Sequence, residues 1–199
     1  MKIIRTSIET IRRRDLVEAA YLTFLDHGMK GMTMARIGER AGMSHGIVNY
    51  YFKSKDELLS AVVRKANFLI MQDAVQRMRQ ARTPRERISA VIAANFPEHI
   101  FTREIARAWV SYYAMIGEKP AFERLQNAVD RRLARNLSHA LKQLTNEAAA
   151  REITQSVAVL IDGFWIRHAK ANGDMDSAAV IRHIEAFVDE RLKALSPGQ

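Results

Sequence analysis

The sequence predicts an all-α chain, and three observations carry that expectation. Apolar residues recur at helical spacing: Leu16, Ala20 and Phe24 share one face, as do Ile153, Val157, Leu160 and Phe164, and Ile181, Ile184, Val188 and Leu195. No window alternates with period two, and no glycine turn separates two β-branched runs, so no hairpin is foreseen. All four prolines, Pro84, Pro97, Pro120 and Pro197, stand where helical patterns start or stop, where a residue without an amide hydrogen costs little. These cuts divide the chain into about nine helices.

Taken in order, the first helix carries the Leu16 stripe. The stretch from Thr33 to Phe52, TMARIGERAGMSHGIVNYYF, then reads as two short helices around a tight turn. Thr33 caps the first, which ends near Ala41; Gly42 supplies the left-handed backbone of the turn; Met43 fills the corner; Ser44 caps the second, which runs through Tyr51. The pattern from Ser54 to about Arg82 reads as a single long helix linking two regions. Thr83-Pro84-Arg85-Glu86 is a capping box with proline at the first helical position. Thr102 caps the next pattern, Thr145 or Asn146 another, Gly173 ends the helix containing Trp165, and Asp176 caps the last. The expected organisation is a head over residues 1–53 and a helical body over residues 54–199.

Composition narrows the function. With 199 residues, 48% hydrophobic and 27% charged, the chain is one large domain or two small ones with a real core. It has no cysteine, which excludes disulfides, Cys-ligated zinc and iron–sulfur clusters. The longest run free of Asp, Glu, Lys and Arg spans 12 residues, Ala41 to Phe52. A membrane span needs roughly 18. Asp15, Glu18 and Asp26 interrupt any signal-peptide apolar region, so a cytoplasmic protein is expected. Thirty-one basic against 22 acidic residues leave a net charge of +9, which suits a polyanionic partner. In the first 14 residues Lys2, Arg5, Arg12, Arg13 and Arg14 face only Glu9. His99, His139, His168 and His183 are scattered without ligand spacing, and no nucleophile, P-loop or dinucleotide motif occurs. Neither a metal, a cofactor nor an enzyme is expected.

The two short helices are the most informative part. Ile37, Ala41, Met43, Val48 and Tyr51 give an inward face, and Gly38 is small where steeply crossed helices must approach. That is the helix-turn-helix layout, whose second helix enters the major groove of double-stranded DNA. His45, Gly46, Asn49 and Tyr50 then look outward. Gly46 lets the backbone approach the groove, Asn49 can bond an adenine edge bidentately, and His45 can bond a guanine edge or a phosphate. Lys53, Lys55 and Tyr50 suit phosphates, as does Arg13 within the basic run at the base of the first helix. Thr33 and Ser44, at the two helix starts, complete the candidate DNA-binding set. The competing readings are a plain helical corner and a non-specific architectural DNA binder.

Thr33 to Leu58, with Gly46, Tyr51-Phe52-Lys53-Ser54-Lys55 and Leu58, resembles the TetR family of bacterial repressors, whose recognition helix ends in an aromatic-Phe-x-Ser/Asp-Lys-x-x-Leu run. Met43 stands where a smaller Val is usual there, and Asn49 where Tyr or Ser is common. The resemblance implies a palindromic operator and a C-terminal body for ligand binding and dimerisation.

The body carries its own hint. Six of the fifteen aromatics lie between residues 96 and 122: Phe96, Phe101, Trp109, Tyr112, Tyr113 and Phe122. Trp109, Tyr112 and Tyr113 share one helical face, and Asp162, Trp165 and Ile166 share another. If those faces meet, rings and a carboxylate surround a volume suited to a quaternary ammonium, which binds by cation–π attraction. The other reading is core packing, with Asp162 paired to Arg167 or Arg107. Asn95-Phe96, Ala108-Trp109, Arg124-Leu125-Gln126, Arg131-Arg132-Leu133 and Leu160 to Arg167 are similar to the BetI subgroup of that family. That likeness implies choline as the effector, repression of choline uptake and glycine betaine synthesis, and Phe96, Trp109, Tyr112, Tyr113, Asp162 and Trp165 as ligand-binding residues. Another apolar or cationic effector is the second reading. Helices around 148–171 and 177–195, with Ala148, Ala149, Ala150, Ala158 and Gly163 permitting close approach, are the expected homodimer interface, with Ile184 and Val188 on its stripe. The alternative is that they cover the chain's own core.

Overall fold

The computed structural model describes the backbone of residues 2–195 and the side chains of residues 8–195, those of 29 and 30 excepted. The side chains of Lys2 and Arg5, and Pro197, therefore lie outside the described residues. Among these residues the chain forms nine helices and no strand: α1 Lys2–Gly31, α2 Met34–Arg40, α3 His45–Tyr51, α4 Lys55–Gln80, α5 Pro84–Ala94, α6 Arg103–Ile116, α7 Pro120–Leu141, α8 Glu147–Lys170 and α9 Ser177–Leu195. They fold as two compact units, one ending at Phe68 and one starting at Leu69, so α4 belongs to both.

The first unit closes around Leu16, Ala20 and Phe24, which are buried as the helical spacing requires, together with Met32, Ile37, Val48, Phe52, Leu58 and Val62. The α2–α3 corner is built locally. Thr33 accepts the Arg36 N–H and Ser44 accepts the Ile47 N–H, so each short helix starts on its own cap. Gly42 has φ 63°, a backbone conformation that costs other residues a steric penalty. Gly38 is needed for a different reason: a Cβ there would lie 2.6 Å from the Met43 carbonyl oxygen, a backbone atom that cannot give way without moving the turn. Gly28, at φ 61°, breaks the helical path of α1 near its end, a kink that the sequence pattern does not announce.

The second unit begins with the expected capping box. Thr83 accepts the Glu86 N–H, and the Glu86 carboxylate accepts the Thr83 N–H at 3.2 Å. Thr102 caps α6 and Asn146, rather than Thr145, caps α8. Asp176 accepts the Ala178 N–H at 2.9 Å just before α9. Helix α8 stops at Lys170, with Ala171 already extended, so Gly173 lies in the following turn and does not end the helix. Helix α6 packs on α7 and α8, α5 on α7 and α9, and α8 on α7 and α9. Arg85 clamps α5 to α9, its Nε and Nη2 reaching the Asp189 carboxylate at 2.5 and 3.0 Å.

One expectation is corrected here. Ile184 and Val188 are both 0% exposed in the single chain, because their side of α9 is the side packed against α5 and α8. The stripe they form is core. Outward apolar residues on α8 are Val159, 69% exposed, and Ile166, 41%, with Gly163 open between them; on α9 only its last residue, Leu195, is comparably exposed among the large apolar side chains described.

Candidate functional site

In the first unit, α3 buries Val48 and leaves His45, Gly46, Asn49 and Tyr50 exposed, as a helix with one inward stripe must. Asn49 Nδ2 lies 3.2 Å from His45 Nδ1, a side-chain pair one turn apart. Tyr50 is 66% exposed and meets Tyr51 edge to face. Lys53 and Lys55 are exposed, and the Lys53 backbone N–H is taken by Glu57 at 3.0 Å. Thr33 and Ser44 spend their hydroxyl oxygens on the caps. Arg13 lies 3.3 Å from Glu57 and 4.6 Å above the Phe52 ring, so its guanidinium is held by the head as well as facing water.

In the second unit the aromatic residues fall into two groups. Trp109, Tyr112 and Tyr113 contact one another on α6, with centroids 5.7 to 6.4 Å apart. Tyr112 also packs on Phe122, and burial, with Asp130 adding to it, pushes its pKa up to about 12. The Tyr113 hydroxyl donates to Asp162 Oδ1 over a long 3.5 Å. Burial first, then the charges of Asp162 and Asp130, raise the Tyr113 pKa far above that of a free phenol. Asp162 keeps one side towards solvent, yet loss of water among the rings raises its pKa, and Asp130 raises it further; the Tyr113 hydroxyl acts the other way. None of these influences comes from a basic side chain. Arg107, one of the two arginines considered opposite Asp162, gives its Nε–H to the Ala169 carbonyl at 3.1 Å.

Trp165 joins the second group. It stacks on Phe96 at 6.4 Å and 14°, meets Phe101 edge-on at 4.9 Å, and donates its indole N–H to the Asn95 carbonyl. Ring contacts and the Tyr113 hydrogen bond thus join Trp109, Tyr112, Tyr113 and Asp162, and ring contacts join Phe96, Phe101 and Trp165, the last of these one turn further along α8 from Asp162. Asp130 of α7, held by Gln126 at 2.8 Å, is a charge at the first group that the sequence did not single out. Its stripe on α7 meets α6 only through the crossing of the two helices, which no local spacing reveals. Among the described residues no three His, Cys, Asp or Glu side chains gather as a metal site, and no helix is long and apolar enough to cross a membrane.

Residues 16–62 match the model of bacterial regulatory proteins of the tetR family, and residues 84–193 match that of the BetI-type transcriptional repressor C-terminal region. The chain belongs to the TetR family, as a BetI-type transcriptional repressor. Its relatives include the HTH-type transcriptional regulator BetI of Brucella canis, 36% identical over 184 residues, 92% of this chain and 93% of that protein. The BetI of Paraburkholderia xenovorans is 35% identical over 93% of this chain and 95% of its own. The fold is that of a TetR transcription regulator from Haloarcula marismortui, with TM-score 0.78 and 18% identity over 94% of this chain and 98% of that one. It is also that of a transcriptional regulator from Saccharomonospora viridis in complex with choline, with TM-score 0.77 and 20% identity over 90% and 96%. TetR regulators bind DNA and small-molecule effectors and act as dimers; they are not enzymes.

Proposed function

We propose that this repressor binds a palindromic operator as a homodimer through α3 and is released from it by choline, so that genes of choline uptake and glycine betaine synthesis respond to their substrate. The observation that carries the reading is the ring wall of Trp109 and Tyr113 ending on Asp162, a carboxylate open to solvent on one side, whose raised pKa reflects partial burial and the charge of Asp130 rather than any basic partner. A trimethylammonium group cannot donate an N–H bond, so ring faces, a nearby carboxylate and apolar fit must recognise it. In this reading Trp109, Tyr112, Tyr113 and Asp162 meet the cation. Phe96 and Trp165, packed on each other, fix the part of α8 that carries Asp162. The choline bound by the Saccharomonospora viridis regulator supports the same ligand class. On the DNA side Asn49 reads a base, Gly46 allows close approach, and Lys53, Lys55, Tyr50 and Arg13 meet phosphates, with Thr33 and Ser44 presenting the helix starts.

Calorimetry with choline and its neutral isostere 3,3-dimethylbutanol tests this. Desolvated cation–π contacts reach about 2 kcal/mol, so choline should bind the wild type well ahead of the isostere, and Trp109→Leu should weaken choline more than tenfold. Equal binding of the two ligands would make recognition purely apolar and the effector a different molecule.

A further inference from the structure

His45 and Asn49 are exposed neighbours on α3, and Asn49 Nδ2 lies 3.2 Å from His45 Nδ1. A carboxamide nitrogen only donates, so in this pairing the imidazole Nδ1 serves as the acceptor. Gly46 between them adds no side chain, and a Cβ at that position would find only Ser44 Oγ, at 3.9 Å. The carboxamide has two N–H hydrogens. A bond to the ring through the one nearer Cβ leaves its neighbour free. The other, beside Oδ1, completes the edge that pairs with N7 and N6 of adenine. A free exposed asparagine turns broadly about its last torsion, and ordering it on binding costs affinity.

We infer that His45 is a positioning residue for DNA reading: it holds the Asn49 carboxamide with its adenine-pairing edge turned outward, instead of contacting a base itself. This rests on the reading of Asn49 as the base-contacting residue. Glutamine at position 45 would preserve the device, since its carbonyl oxygen can accept from Asn49 at the same spacing; alanine and lysine offer no acceptor.

The test uses the full-length dimer and randomised duplex DNA. Sites selected by the wild type are compared, base pair by base pair, with the preferences of Asn49→Ala, His45→Ala, His45→Lys and His45→Gln, after thermal unfolding has shown each variant folded. The expected result is that Asn49→Ala flattens the preference at one position per half-site. His45→Ala and His45→Lys should weaken it at that same position by about threefold to tenfold, and His45→Gln should keep it. A His45→Ala effect at a different base pair, or an even loss on all duplexes, would overturn the inference and make His45 a direct base or phosphate contact. A profile unchanged by Asn49→Ala would instead overturn the reading of Asn49, and this inference with it.

Discussion

Asp162, exposed on one side, gives up part of its water beside Tyr113, and Asp130 adds a second negative charge nearby. Its pKa is raised for both reasons, so the folded chain binds that proton more tightly than the unfolded one. The stabilisation linked to the proton is fully present below the unfolded value of about 3.9 and is lost as pH rises through the folded value. At neutral pH the charge therefore works against the fold, and what it offers in exchange is attraction for a cation. Asp162→Asn should unfold at the same or a higher temperature than the wild type at pH 7, while its affinity for choline drops and that for 3,3-dimethylbutanol holds. Lowering the pH through the raised pKa should weaken choline on the wild type in the same manner. A clear fall in the unfolding midpoint of Asp162→Asn would assign the carboxylate to structure, as the acceptor for Tyr113, and not to the ligand.

Helices α8 and α9 separate what a stripe of apolar residues says from what it leaves open. Helical spacing identified Ile184 and Val188 as a buried face, and they are buried; it could not say whether the cover is a second chain or α5 and α8. A charge at Val188 should therefore disrupt the second unit, costing several kcal/mol as an unpaired buried charge does, and lower its unfolding temperature. Val159→Asp on the open face of α8 should leave that temperature nearly unchanged and shift the sedimenting species from dimer to monomer. An intact dimer in Val159→Asp would move the interface off this face. The same division explains which features were legible. The caps at Thr83, Thr102, Asn146 and Asp176 involve partners two or three residues away, so the sequence contains all of their geometry. The α2–α3 corner is equally local, through Gly38 and Gly42. The stacking of Trp165 on Phe96, and the arrival of Asp130, depend on how the helices of the second unit cross, and a shared face on one helix does not reveal that crossing.

At the scale of the whole molecule, a repressor released by its ligand must bind DNA and effector in two states of unequal preference. A ligand with equal affinity for both would shift nothing, however tightly it bound. In this chain α4 is one continuous helix from Lys55 to Gln80, so residues next to the DNA-reading corner and residues of the second unit belong to the same element. Linkage then fixes a quantity that no single residue determines: the factor by which choline weakens the operator equals the factor by which the operator weakens choline. Couplings of this kind are typically about 5- to 150-fold. Choline is also a salt, and a chain of net charge +9 that neutralises phosphates loses affinity for DNA as any salt rises. Duplex binding should therefore be measured with choline chloride against an equal concentration of sodium chloride, and choline binding with the dimer free and saturated with a selected duplex. The two factors are expected to agree once the sodium chloride effect is removed. If choline loosened the duplex no more than sodium chloride did, or bound the free and DNA-bound dimer alike, release would be ionic screening at the phosphate contacts, with no coupling between the rings around Asp162 and the face of α3.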